Sequence, residues 1–210
     1  MADPSLFRLR VTFQKKGRLA LLSHLEVARA LERAVRRADL PYAVSQGFSP
    51  HMRIAFGAAL PVGVGGEAEV FDLQMTRYVA PDAALAALAA ASAPDLMVTS
   101  CRYIGPREPA ASVAWPVSTY RAVLSGEPAS PLVVPETITV VRKKKEKTLV
   151  ASEFLVGEPS LEGCALEFSL RALPTGSLRP DLLLSHMLEG ARTAEGEPVR
   201  PLEITRIAQR

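Results

Sequence analysis

The three histidines are the side chains in this sequence best suited to exchange a proton near neutral pH. They are His24, His51 and His186. His24 and His51 lie in short segments with other polar residues, so one hypothesis is that they form the acid–base pair of a metal-independent enzyme that acts on RNA. The alternative is that both only orient the backbone through hydrogen bonds, because neither has an evident nucleophile beside it. His186 falls within a helical pattern, which favours a packing or surface role.

The cysteines do not predict metal or cofactor chemistry. Cys101 and Cys164 are the two cysteines of the chain and lie far apart, whereas zinc and iron–sulfur sites use several closely spaced thiolates. We predict no metal and no cofactor, with both cysteines as reduced, buried thiols on strands. The glycines at 63, 65 and 66 lack the Lys-Ser/Thr ending of a phosphate loop, so they predict a turn.

Positive charge is concentrated in the first quarter of the chain. Residues 1–57 carry ten Lys/Arg and four Asp/Glu, although the net charge of the whole chain is only +3. Four arginines form a stripe at helical spacing: Arg29, Arg33, Arg36 and Arg37. A second basic cluster, which runs from Arg142 to Lys145, falls between two apolar stretches and is expected at a hairpin tip. Both clusters are compatible with phosphate binding or with ordinary solvated charge.

Two elements must position these groups. Arg8 to Phe13 alternates basic and apolar residues, which predicts a half-buried strand with one charged face. Ser23-His24-Leu25-Glu26 is a capping box, so a helix is expected to begin there and to continue to about Asp39. The apolar residues of this helix that we expect to pack inward are Leu25, Ala28, Leu31, Val35 and Ala38.

The remaining patterns predict an α+β fold. Strands are expected near 53–56, 67–75 and 96–104, with a helix over 81–92, so residues 1–104 have the β-α-β-β-α-β order of a ferredoxin-like domain. Three prolines in the segment that follows, up to residue 116, predict a linker. Residues 117–210 then predict a smaller second α+β subdomain, interpreted as a degraded duplication of the first. We expect a cytoplasmic protein, because the sequence shows no signal peptide and no apolar stretch of membrane-spanning length.

The segments that carry a family resemblance follow one another along the first third of the chain. They are Leu22–Glu26, Leu31–Ala38, Tyr42–His51, Arg53–Phe56, Leu60–Gly63 and Glu67–Glu69. The chain resembles the radical-SAM-linked family, a domain of unknown function that occurs alone or fused to radical-SAM, cobalamin-type proteins. This resemblance implies an accessory role beside a radical-SAM enzyme. It does not imply binding of S-adenosylmethionine, because the radical-SAM cluster needs three closely spaced cysteines.

These observations together favour a non-catalytic accessory protein that binds RNA or docks a radical-SAM partner through a basic face. The arginines would contact phosphates, Ser45, Gln46 and His51 would provide hydrogen bonds, and Phe48 and Tyr42 would stack on bases. The predicted RNA- or partner-binding residues are Ser23, His24, Arg29, Arg33, Arg36, Arg37, Ser45, Gln46, Gly47, Phe48, His51, Arg53, Lys143, Lys144 and Lys145. The enzyme with His24 and His51 stays an alternative, as does a pure protein-interaction domain.

Overall fold

The computed structural model of the chain describes residues 6–142 and 145–210. The chain folds into two compact units, which are Met1–Trp115 and Pro116–Arg210. Both units combine helices with mostly antiparallel strands, so the prediction of a mixed α+β fold is confirmed. Within the described residues, none of the helices has the length and apolar character that a bilayer span requires.

The first unit alternates strands and helices in the predicted order. Its elements are β1 (Phe7–Lys15), α1 (His24–Arg37), β2 (Ile54–Phe56), β3 (Val64–Met75), α2 (Pro81–Ala91) and β4 (Val98–Tyr103). Short 3-10 helices at Gly17–Leu21 and Pro94–Leu96 precede α1 and β4.

The strands of the first unit pair antiparallel in the order β2-β3-β1-β4. The central register places Val11 of β1 opposite Phe71 of β3 and Cys101 of β4. The predicted turn at 63–66 is partly wrong, because β3 begins at Val64 and so contains Gly65 and Gly66. A side chain at Gly66 would collide with Glu69, since a Cβ there would lie 2.5 Å from a carboxylate oxygen of Glu69.

One face of this sheet packs against both helices. Its core contains Leu9, Val11, Phe71 and Leu73 from the strands, with Val27, Leu31 and Val35 from α1 and Ala84 and Leu88 from α2. The predicted inward face of α1 is wrong for Leu25, which is 66% exposed. Each helical residue turns by about 100°, so Leu25 points far away from the stripe of Val27, Leu31 and Val35.

The second unit is built from shorter elements. They are β5 (Val117–Leu124), β6 (Thr137–Arg142), β7 (Lys145–Val150), α3 (Ala151–Phe154), β8 (Ser160–Glu162), β9 (Ala165–Leu173), β10 (Gly176–Ser177), α4 (Pro180–Met187) and β11 (Pro201–Gln209). Strands pair antiparallel in the order β10-β9-β5-β11, and β8 pairs with the same edge of β9 as β10. β6 and β7 form a separate two-stranded hairpin.

The two cysteines differ from the prediction that both are buried on strands. Cys101 lies on β4 and is half-buried, and burial raises the pKa of its thiol to about 11. Cys164 is exposed in the turn between β8 and β9, so the prediction is wrong for this residue. Gly163 precedes it with a positive φ of 57°, which is typical of a tight turn that exposes the next side chain.

Candidate functional site

The Ser45–His51 loop projects from a closed base. The Ser45 N–H donates to the His51 carbonyl at 2.8 Å, and the His51 N–H donates to Ser45 Oγ at 3.0 Å. Val44 and Met52 form a β-bridge next to this pair. Two further backbone bonds, from Arg53 N–H to Ala43 and from Ala43 N–H to Gln74, join the base to β3. The loop is therefore held at its ends while its tip is free to project.

The tip of this loop exposes an aromatic ring. Phe48 is 110% exposed relative to a reference extended residue. Gly47, with φ of +128°, provides a conformation that a side chain would strain, and Gln46 and His51 are also exposed. A phenyl ring in water forgoes the free energy that burial would give, of the order of 2 kcal/mol. The sequence therefore keeps an apolar group where a partner could cover it.

Ser23 and Glu26 form the predicted capping box at the start of α1. Ser23 Oγ accepts from the Glu26 N–H at 3.4 Å and donates to Glu26 Oε2 at 2.7 Å, while the Ser23 N–H donates to Glu26 Oε2 at 2.8 Å. The Ser23 hydroxyl and then its backbone N–H lower the pKa of Glu26. Both polar groups of Ser23 are thus engaged in capping, which gives this predicted binding residue a structural role.

His24 lines a shallow pocket beside the first turn of α1, of about 340 Å³ when space open to solvent is counted. Its ring and that of Phe56 are nearly perpendicular, at 87°, with the ring centroids 5.5 Å apart. Lys15 and Glu69, which are 2% and 5% exposed, line the same pocket. Lys15 Nζ donates to the Val64 carbonyl at 3.2 Å. Two buried ionisable groups therefore lie near His24, a feature that sequence patterns did not reveal.

The structure does not bring His24 and His51 together. His51 is exposed on the loop and is not part of the His24 pocket. No contact joins the two rings among the residues that the structure describes. The proposed acid–base pair therefore has no geometric support from this arrangement.

The arginines of α1 point to solvent on the side away from the core. Arg36 pairs with Glu32 at 3.4 Å, and Arg37 Nη2 donates to the Ala91 carbonyl at 2.7 Å. Arg29 and Arg33 are exposed, and neither makes a side-chain hydrogen bond or ion pair within residues 6–142 and 145–210. Exposed i,i+4 pairs contribute only tenths of a kcal/mol, so Arg36 stays available to a ligand.

Arg53 lies on the opposite face of the sheet from the α1 arginines. It precedes Ile54, which pairs with the core residue Leu73, so Arg53 shares the outward side of Ala55 and Asp72. There it lines an open groove together with Arg8 and Gln74. The sequence grouped all five arginines on one face, and the structure separates Arg53 from the other four.

A buried ion pair also lies on this outward face, and sequence reasoning did not identify it. Arg10 Nε donates to Asp72 Oδ1 at 2.7 Å and Arg10 Nη2 donates to Asp72 Oδ2 at 2.9 Å. Arg8 Nη2 adds a third bond at 3.2 Å. The alternation of Arg8, Leu9 and Arg10 indicates a charged side of β1. Only the β1–β3 register, however, places Arg10 opposite Asp72.

The predicted linker is fastened to this ion pair. Arg10 Nη2 donates to the Pro109 carbonyl at 2.7 Å, the Ala111 N–H donates to Asp72 Oδ2 at 2.9 Å, and the Arg10 guanidinium lies 4.9 Å from the Trp115 ring centroid. Burial opposes ionisation of Asp72, but the bonds from Arg10 and Ala111 outweigh it and lower the pKa of the carboxyl. The segment that follows β4 is thus an ordered part of the first unit.

The second basic cluster is only partly described. Lys143 and Lys144 lie outside the described residues. Lys145 begins β7, where its backbone pairs with Arg142 at the end of β6. Farther along β7, Lys147 Nζ donates to the Thr175 carbonyl at 3.0 Å.

The sequence matches a known protein family over most of its length. The profile of a family described as uncharacterized proteins conserved in bacteria, DUF2344, matches residues 8–176. The chain belongs to the DUF2344 family. The match extends from β1 to the first residue of β10, so the DUF2344 region includes the capped helix, the Phe48 loop and the Asp72 ion pair. No curated protein matches the chain. Because the DUF2344 family is uncharacterized, membership in it assigns no activity to the chain.

Proposed function

We propose that this DUF2344 protein is a non-catalytic accessory protein that binds RNA through the Phe48 loop and the exposed arginines of α1. The observation that carries the proposal is the full exposure of Phe48 on a loop whose base is closed by Ser45 and His51. A ring held in this way can stack on a base, and such contacts are worth about 1–3 kcal/mol each.

Polar residues of the Phe48 loop and exposed arginines of α1 support RNA as the occupant. Gln46 and His51 offer hydrogen-bonding side chains to the edge of an unpaired base. Arg29 and Arg33 are exposed cations that make no side-chain hydrogen bond or ion pair among the described residues, although Arg29 interacts electrostatically with Glu26. Such cations are the usual contacts to phosphates. A protein partner would also cover Phe48, but the excess of arginine favours a polyanion.

We also propose that the first unit is ferredoxin-like and that the second is its degraded duplication. In the first unit β3 lies between β1 and β2, the split β-α-β arrangement that typifies this fold. In the second unit β9 lies between β5 and β8, and β11 pairs with the other edge of β5 as β4 does with β1. The four-residue helix α3 would then replace α1.

We propose a radical-SAM enzyme as the protein that this accessory serves. The support is the resemblance of residues 8–76 to the radical-SAM-linked family. Within the described residues, no cluster of three or more His, Cys, Asp or Glu side chains is arranged to hold a metal. RNA bound here would be the substrate of the partner, which would supply the chemistry.

Crosslinking followed by affinity purification from a bacterial lysate tests the proposal. Sequencing the attached RNA should recover a defined class with the wild type. Phe48→Ala should lose most of that RNA, whereas Val133→Ala, which also shortens an exposed apolar side chain, should keep it. Equal recovery with both variants would contradict RNA binding by the loop. Recovery of a radical-SAM protein that survives nuclease, without RNA, would replace the proposal with a docking role.

The second candidate function is an RNA-processing enzyme in which His24 and His51 act on RNA from separate positions, since no contact joins their rings among the described residues. The observation that favours it is the pocket in which His24 lies with the buried Lys15 and Glu69. Incubating the protein with the recovered RNA tests it. Loss of turnover with unchanged binding in both His24→Ala and His51→Ala would support an enzyme, and absence of turnover in the wild type would remove it.

A further inference from the structure

A second positively charged surface lies on the outward face of the first sheet. It is an open groove of about 770 Å³, counting space open to solvent, and its walls include Arg8, Arg53 and Gln74. Asp72 lies in its floor, and Ala55 and Ala110 contribute small side chains. The groove does not include the α1 arginines, the Phe48 ring or His24.

The acidic groups of this region are already engaged. Asp72 accepts both bonds from Arg10, one from Arg8 and one from the Ala111 N–H. Glu108, which does not line the groove, pairs with Arg102 at 3.1 Å, accepts from the Gly105 N–H at 3.0 Å and interacts electrostatically with Arg10. The charged residues that line the groove are Arg8, Arg53 and Asp72, so the groove carries an excess of one positive charge.

Arg53 is the cation of this groove that is available to a ligand. Its guanidinium makes no hydrogen bond or ion pair within the part of the chain that the structure describes. Arg8, by contrast, is held by Asp72 and by the carbonyls of Gly105 and Glu108. A concave surface with an excess of positive charge concentrates anions, and the guanidinium fork matches the oxygens of a phosphate.

We propose that this groove is a phosphate-binding site, in which Arg53 binds the phosphate and the Gln74 side chain contacts the attached nucleotide. Arg8 and Arg10 contribute their field and stay bound to Asp72. The phosphate belongs either to a free nucleotide or to an RNA strand. The strand as source rests on the proposed function, whereas binding of a free nucleotide does not.

Isothermal titration with three probes tests the site: inorganic phosphate, uridine 5′-monophosphate and size-selected fragments of total bacterial RNA. Arg53→Gln should weaken binding of uridine 5′-monophosphate by about tenfold or more, since a hydrogen bond to a charged group is worth about 1.5–3 kcal/mol. The affinity of Arg53→Lys should fall between that of the wild type and that of Arg53→Gln, because lysine keeps the positive charge but lacks the forked guanidinium. Arg171→Gln, at an exposed arginine of β9, is the matched control and should bind like the wild type.

The outcomes separate this site from the proposed function. Unchanged affinity of Arg53→Gln for all three probes would overturn it, as would the absence of wild-type binding to any probe up to about 10 mM. The groove would be supported as a nucleotide site if Phe48→Ala no longer bound RNA while binding of uridine 5′-monophosphate still depended on Arg53. If binding of RNA depended on Phe48 and binding of no probe depended on Arg53, the proposed function would be supported and the phosphate site in the groove would be contradicted.

Discussion

At the scale of single residues, the carboxylate of Asp72 joins three parts of the first unit. It receives two bonds from Arg10, one from Arg8 and one from the backbone of Ala111. Asp72 and Arg10 are 3% and 4% exposed, so removing one partner would leave the other charge buried and unpaired. This residue therefore fixes the segment after β4 onto the outward face of the sheet.

We expect Asp72→Asn to lower the free energy of unfolding by about 3–5 kcal/mol at neutral pH, because the buried guanidinium of Arg10 loses its counter-charge. Burial opposes ionisation of Asp72, but hydrogen bonds from Arg10 and Ala111 place its pKa below the ordinary 3.8. A depressed pKa stabilises the fold above the unfolded-state pKa, and this stability is lost as pH falls through the folded-state pKa. The difference between variant and wild type should therefore shrink below about pH 4.

Urea denaturation of both proteins across this pH range measures the effect. Glu167→Gln is the matched control, because Glu167 pairs with Arg121 on the surface and should cost at most about 1 kcal/mol. The ion pair would be shown not to stabilise the unit if Asp72→Asn lowered the free energy of unfolding no more than Glu167→Gln does, or if its effect grew as pH fell.

The cysteines provide a separate prediction at this scale. Cys164 is exposed, whereas burial raises the pKa of Cys101 to about 11, so on the order of one Cys101 in a thousand is a thiolate at pH 8. Labelling of the folded protein with a maleimide should thus show one fast and one slow thiol. Mass spectrometry should assign the fast thiol to Cys164, and Cys164→Ser should remove the fast phase. A fast phase that survives in Cys164→Ser would contradict the burial of Cys101.

At the scale of elements, the capping box of α1 predicts where the helix begins but not which of its residues bind a ligand. Ser23 and Glu26 form the capping box that their spacing predicts. The same hydroxyl was also predicted to bind a ligand, yet it already donates to Glu26 Oε2 at 2.7 Å. Its role is therefore expected to be structural.

Ser23→Ala should lower the free energy of unfolding by about 1 kcal/mol, the usual cost of removing an N-cap. Its affinity for RNA should stay that of the wild type wherever the variant is folded. Urea denaturation and RNA binding, measured on one preparation, test both statements. Ser100→Ala, at an exposed serine of β4, controls for loss of a hydroxyl. Weaker RNA binding at unchanged stability would instead make Ser23 a binding residue.

The elements that could be predicted from the sequence are those with a local signature. Alternation located β1, and a proline at its first turn located α2. The inward face of α1 was misjudged because the apolar Leu25 and Val27 both fit a helical pattern, and only packing against the sheet decides between them. The Asp72 ion pair, the separation of Arg53 from α1 and the Lys15–His24–Glu69 pocket depend on strand register, which no local pattern encodes.

At the scale of the whole molecule, charge is the property that relates most directly to the proposed function. The net charge of +3 is small, so any affinity for a polyanion must come from local clusters. Two clusters in the first unit are described: the exposed arginines of α1, and the groove that Arg53 lines. They lie on opposite faces of one sheet, so they should contribute separately to RNA binding.

Replacing Arg29 and Arg33 with glutamine should lower both the affinity for RNA and its dependence on salt. Each phosphate contact to a single strand contributes about 0.7 to the slope of log K against log salt, so the double variant should lose about 1.4. Filter binding at several salt concentrations measures this slope. Replacing Arg107 and Arg171, which are also exposed, controls for the change in net charge. An equal loss in both double variants would mean that net charge alone determines binding.

The central claim is that the Phe48 loop binds RNA, and its most direct measurement is the affinity of wild type and Phe48→Ala for size-selected fragments of total bacterial RNA. Both titrations should be made at about 50 and 200 mM salt. The claim predicts salt-dependent binding by the wild type and at least about fivefold weaker binding by Phe48→Ala, since a stacked base contributes 1–3 kcal/mol. The slope against salt should be the same for both, because Phe48 carries no charge. Wild-type protein that fails to bind RNA at either salt concentration, or equal affinity of the two proteins, would contradict the claim.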